Sequence, residues 1–127
     1  MNKKSLFSAI TAILVFAVFL VNANSNPTKS TAKEVPENVQ AAIQKSCFGC
    51  HNSDSQNDKA KDKLDFKKLE TLSGPDKVHA LREIGKTLKD DDMPPKKFLD
   101  KYPDKALSAD EKKLLMDWAK QEAKNAM

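Results

Sequence analysis

The sequence predicts an all-α domain of three to four short helices, and three observations predict it. Apolar residues recur at spacings of three and four in separate segments; proline, glycine and a capping-box pattern punctuate those segments; and no stretch alternates for long enough to make a strand. One small domain is the most that 127 residues of this composition hold. With 6 Pro and 3 Gly the chain is neither collagen-like nor low-complexity. Its two cysteines exclude both a disulfide-dense scaffold and a four-cysteine zinc site.

The apolar residues are unevenly spread. Met1 to Ala23 contains 16 of them, whereas residues 24–127 contain 34 in 104. Lys3 and Lys4 precede a run from Leu6 to Val21 in which only Ser8 and Thr11 are polar, and Val21 and Ala23 then occupy the positions a signal peptidase inspects. Residues 1–23 therefore read as a signal peptide. The run falls short of the roughly 20 residues that span a bilayer, and an uncleaved N-terminal anchor is the alternative. On either reading the chain is exported to the periplasm, free or held at the membrane by this segment alone. Residues 24–34 are small and polar and read as a flexible linker, which leaves 35–127 as the folded domain.

Export also redistributes the charge. The whole chain carries 22 Lys+Arg against 18 Asp+Glu, and without Lys3 and Lys4 the balance is 20 against 18, or +2. A basic footprint for nucleic acid is thereby lost.

The first helix is expected from Val35, with Pro36 in its first turn and Val35, Val39, Ala42 and Ile43 on one face that continues to Ser46, Cys47 and Cys50. Asn52 to Lys63 is polar throughout and reads as a loop. Leu64, Phe66, Leu69 and Leu72 then form a short helix or irregular turn, stopped by Ser73-Gly74-Pro75. A further helix from near Asp76 to about Lys89 places Val78, Leu81, Ile84 and Leu88 on a face about 120° wide. Asp90-Asp91-Asp92 oppose its dipole and Pro94-Pro95 forbid its continuation. Ser108 and Glu111 form a capping-box pattern that opens the last helix, where Leu114, Leu115, Trp118 and Ala119 share a face.

The chemistry is concentrated in Cys47-Phe48-Gly49-Cys50-His51. Two thiols three residues apart on one helical turn can add to the two vinyl groups of a haem, and the histidine that follows can supply the proximal imidazole to its iron. The competing readings are a thioredoxin-like redox pair, which should open a helix after a strand, and a structural disulfide, whose tiny loop would stabilise little. A buried porphyrin also answers the sparse core, since a domain of this size with a third of its residues apolar is marginal by itself. Trp118, the only tryptophan, is the largest side chain available to close the contact between the last and first helices.

The sixth iron position has Met93, Met116, Met127 and His79 as candidates, or it is open. His79 lies off the apolar face and reads as a solvated histidine; Met116 and Met127 look incidental. Met93 lies in a loop that Pro94 and Pro95 stiffen, which suits a thioether held at an iron.

These residues carry a resemblance. Val35 to His51 (VPENVQAAIQKSCFGCH) and Met93 to Ala119 (MPPKKFLDKYPDKALSADEKKLLMDWA) resemble small monohaem c-type cytochromes, and more closely the bacterial haem-binding domains with one Cys-x-x-Cys-His and a Met-Pro-Pro loop. The resemblance implies a cytochrome c-like all-α fold packed around one covalent haem c. It implies Cys47 and Cys50 as thioether attachment sites, His51 as proximal ligand and Met93 as distal ligand. It departs after the haem motif, where relatives have a Pro-Trp-Tyr stretch and Asn52 to Lys63 has no aromatic.

The function implied is one-electron transport rather than enzymatic turnover, with redox proteins as partners met in weak, transient complexes by a monomer. A fixed haem subunit docked on a larger oxidoreductase, and a haem enzyme or sensor with an open sixth position and peroxidase-like activity, are the alternatives. Lys96, Lys97, Lys101 and Lys105 follow the Met93 loop. They form either a basic rim that steers an acidic partner or, interleaved with Asp100 and Asp104, an ordinary solvated surface.

Overall fold

Three longer helices meet edge to edge around residues that the sequence spaces for burial. The structure is a computed structural model and describes residues 34–127, which form one unit. The signal peptide expected at 1–23 and almost all of the linker expected at 24–34 lie outside the described residues. Five α-helices and no strand occur among those described: α1 (Glu37–Ser46), α2 (Asp58–Lys63), α3 (Gly74–Lys89), α4 (Lys96–Leu99) and α5 (Ala109–Asn125). Single 3₁₀ turns at Leu69–Thr71 and Pro103–Lys105 complete the set. No described helix is long and apolar enough to cross a membrane.

The core is built by the predicted faces. Val39, Ala42 and Ile43 of α1, Leu81, Ile84 and Leu88 of α3, and Leu115, Trp118, Ala119 and Ala123 of α5 are buried together with Leu69. Pairing α3 with α5 supplies most of it, and α1 crosses α5. The ends fix the directions. A Cβ on Gly74, at the start of α3, would lie 3.1 Å from the Ala126 carbonyl oxygen at the end of α5, so only glycine fits there without a shift. At the other end Asp91, just after α3, pairs with Lys112 near the start of α5. The two helices are therefore antiparallel. Lys45, at the end of α1, reaches both carboxylate oxygens of Glu111 at 2.8 and 2.6 Å and ties α1 to the first turn of α5.

Three boundaries differ from expectation. The first helix, whose face was expected to continue to Cys47 and Cys50, ends at Ser46, and the cysteines lie on the turns that follow it. Ser73-Gly74-Pro75, read as a stop, is also a start: Ser73 is the N-cap of α3, its side chain accepting the Asp76 N–H, and Pro75 sits in the first turn where its missing N–H costs nothing. The polar stretch 52–63, read as a loop, contains α2. Asn57 caps it by accepting the Ala60 N–H at 3.1 Å, and Asp58 at one end and Lys61 and Lys63 at the other suit its dipole. No residue of α2 is buried, so no apolar period marks it. The capping box at Ser108 and Glu111 is present as expected, at 3.1 and 2.8 Å.

Candidate functional site

The site begins where α1 stops. Cys47 leaves helical geometry at φ −122° and ψ −47°, and the N–H groups of Cys47 and Phe48 both donate to the Ile43 carbonyl. A second tight turn follows, in which the Cys50 and His51 N–H groups donate to the Cys47 carbonyl, each at 3.1 Å. Both thiols are thus carried on one turn and the imidazole comes directly after it. Asn52, buried, closes the exit: its Nδ2 donates to the Phe48 carbonyl and its Oδ1 accepts the Asp54 N–H at 2.8 Å.

His51 is held from behind. Its Nδ1 lies 2.9 Å from the Ala60 carbonyl oxygen and 3.2 Å from that of Leu64. Carbonyl oxygens only accept, so Nδ1 carries the proton and Nε2 keeps its lone pair. Phe66 meets the ring edge-on, with centroids 6.5 Å apart at 88°, and its N–H donates to the His51 carbonyl at 3.0 Å. This is how a metal-binding histidine is oriented by its outer partners. Sequence reasoning missed those partners because they are main-chain atoms; only the Asn57 cap in front of a helix-forming hexapeptide signalled them.

The cysteines are not joined to each other. Burial, with Cys50 beside it, pushes the Cys47 thiol up to about 11. A redox-active cysteine pair works through a lowered thiol and follows a strand; here the thiol is raised and a helix precedes, neither of which favours a thioredoxin-like pair. Nor do three or more His, Cys, Asp or Glu side chains converge to hold a bare metal ion among the described residues.

Met93 arrives from the other side. α3 ends in a Schellman arrangement, the Asp92 N–H donating to the Thr87 carbonyl at 3.0 Å and that of Asp91 to Leu88 at 3.4 Å, with Asp91 at φ 59°. Half-buried Met93 follows, joined to Pro94 by a cis peptide bond, and Pro95 caps α4. The Ser46 hydroxyl donates to the Lys105 carbonyl at 2.8 Å, which fastens the end of α1 to the segment beyond α4.

Cys47, Cys50, His51 and Met93 all line one cavity of about 850 Å³. Its wall is mostly apolar and includes Ile84, Leu88, Leu115, Trp118 and Phe98. Met116 and Met127 face a separate groove beside Leu81 and Gly85. His79 corrects an expectation. It is exposed, yet it stands on the cavity wall, because the cavity flanks the core face of α3 and does not coincide with it.

A family model described as a haem-binding domain matches residues 54–121, which is more than half of the chain. The chain belongs to that haem-binding domain family. Comparison with curated proteins and with solved structures yields no match. The matched segment holds Met93 and the walls contributed by α3 and α5, and the cysteine turn with His51 lies just ahead of it.

The residues present fit a haem. The cavity volume is within the range of cofactor sites, about 300–1,000 Å³, the wall suits a flat apolar ring, and the donors are a neutral imidazole with a bare Nε2 and a thioether. His51 and Met93 are the side chains that would hold the iron, and Cys47 and Cys50 those that would hold the macrocycle.

Proposed function

We propose that this haem-binding domain is an exported monohaem c-type cytochrome that carries single electrons between redox proteins of the periplasm. Bound haem supplies a one-electron iron couple, which axial methionine biases toward the ferrous state. The observation that carries the reading is the bare Nε2 of His51, aimed by the Ala60 and Leu64 carbonyls into the cavity that both thiols and Met93 also line. Cys47 and Cys50 would hold the macrocycle, each thiol supplying its sulfur and its hydrogen to a vinyl group, so that attachment would need no oxidant. His51 and Met93 would be the side chains that hold the iron, and with both engaged the iron would have no place for a substrate. Lys96, Lys97 and Lys101, which have no ion-pair partner among the described residues, offer an acidic redox partner a basic lip beside the Met93 loop.

The test is the absorption spectrum of the ferric protein made with haem-attachment machinery. The methionine-to-iron charge-transfer band should be present in the wild type and absent in Met93→Ala; an unchanged spectrum would remove Met93 as ligand. The double change Cys47→Ala, Cys50→Ala should abolish haem that stays with the chain on a denaturing gel, and haem retained there would overturn covalent attachment.

A further inference from the structure

Two ionisable side chains on the cavity wall take no part in the reading above. His79 and Glu83 stand one turn apart on α3 with Thr87 a further turn on, a row about 12 Å long at 1.5 Å per residue, and all three line the cavity. The Thr87 hydroxyl is turned inward, donating to the Glu83 and Ile84 carbonyls at 2.9 and 3.2 Å. The side chains of His79 and Glu83 have no partner among the described residues. The other charged or ionisable groups facing the cavity, apart from the cysteine turn and His51, are Lys45, Lys63, Lys105 and the Tyr102 phenol. Lys45 is neutralised by Glu111 and Lys105 lies 3.6 Å from Asp104. Glu83 is thus the one carboxylate on this wall, and the histidine sits directly above it.

We propose that His79, on the wall of the cavity, is a proton-binding site coupled to reduction of the iron, an inference that rests on the haem reading given above. One electron delivered by a reduced redox partner removes one positive charge from the cavity. His79 then takes one proton from water and becomes imidazolium, and the proton returns to water when the electron leaves. Histidine is suited to this because its charge changes between pH 5 and 8. Two unit charges about 10 Å apart, at an effective dielectric near 20, change each other's equilibrium by on the order of tenfold. The reduction equilibrium should therefore fall by about that factor as His79 loses its proton.

A spectroelectrochemical titration of the holoprotein at pH 5 to 9 reads this directly. The wild type should be easier to reduce at pH 5 than at pH 9, by about tenfold in the equilibrium constant, and His79→Gln should flatten the profile. A flat wild-type profile, or one that His79→Gln leaves unchanged, overturns the proposal. So does loss of the low-spin spectrum in His79→Gln, which would make His79 an iron ligand. Absence of covalent haem in the wild type overturns the underlying reading instead, and the gel tells the two failures apart.

Discussion

Asn57→Ala isolates the support behind His51, the proximal ligand in the proposed reading. The side chain of Asn57 caps the start of α2, and α2 buries nothing that could hold it in place by packing. Removing such a cap costs about 1 kcal/mol, here paid locally because the core residues are elsewhere. The Ala60 carbonyl accepts from His51 Nδ1 and from the Leu64 N–H together, so fraying of α2 loosens the imidazole. Acid removes a histidine ligand by protonating the nitrogen that binds iron, and a bound state weakened by 1 kcal/mol yields to acid at a pH higher by up to about 0.7 unit. The assay is an acid titration of the ferric holoprotein followed by its absorption spectrum, beside a urea melt of the same sample at pH 7. The transition should move up for Asn57→Ala, return for Asn57→Ser, which caps equally well, and leave the urea midpoint nearly in place. Superimposable acid transitions for wild type and Asn57→Ala would refute the reasoning, as would an equal shift in Asn57→Ser.

Leu115, 1% exposed between the helices and the cavity, should cost about 2–5 kcal/mol as Leu115→Ala, enough to bring thermal unfolding of a domain this small close to room temperature. Glu111 is held below the usual carboxylate range, first by the hydrogen bond from Lys45 and next by the Ser108 N–H. Its contribution is therefore complete above the ordinary carboxylate pKa of about 4.3 and lost as pH falls through the lowered value. Being partly exposed, the pair is worth about 1 kcal/mol or less, and Glu111→Gln should show that loss in denaturant melts at pH 7 but not at pH 2. At Asp91, whose φ is 59°, Asp91→Gly should be at least as stable as Asp91→Asn, and Asp91→Val less stable by about 1–2 kcal/mol; the opposite order in a thermal melt would contradict the left-handed assignment.

What could be read in advance depended on which atoms carry the information. Val78, Leu81, Ile84 and Leu88 are buried at the spacing that announced them, and Asp90 through Pro95 ended α3 where charge and proline required. That Cys47, Cys50 and His51 would share one site was legible because the motif is made of side chains, and all three line one cavity. Leu72, expected on the inner face of its segment, is 37% exposed, because the 3₁₀ turn ends before it and only Leu69 turns fully inward. α2 was illegible by periodicity, since Asp-Lys-Ala-Lys-Asp-Lys offers a single apolar residue, Ala60, and one residue sets no period. His79 is exposed, as its place off the core face led one to expect, but its position on the cavity wall was not foreseeable, because a wheel centred on the core face says nothing of a cavity beside that face.

The loop from His51 to Phe66 is closed at its base by the Phe66 N–H on the His51 carbonyl and from within by the ring on two further carbonyls. Every amino acid has a carbonyl, so the aim of the imidazole is written in atoms that substitution does not erase. The segment Asp58–Lys63 can then be treated as an exchangeable cassette. Provided that Asn57 and the helix survive, its outward side chains are free to be recharged, labelled or tethered to an electrode a few residues from the iron ligand, without re-aiming the ligand itself.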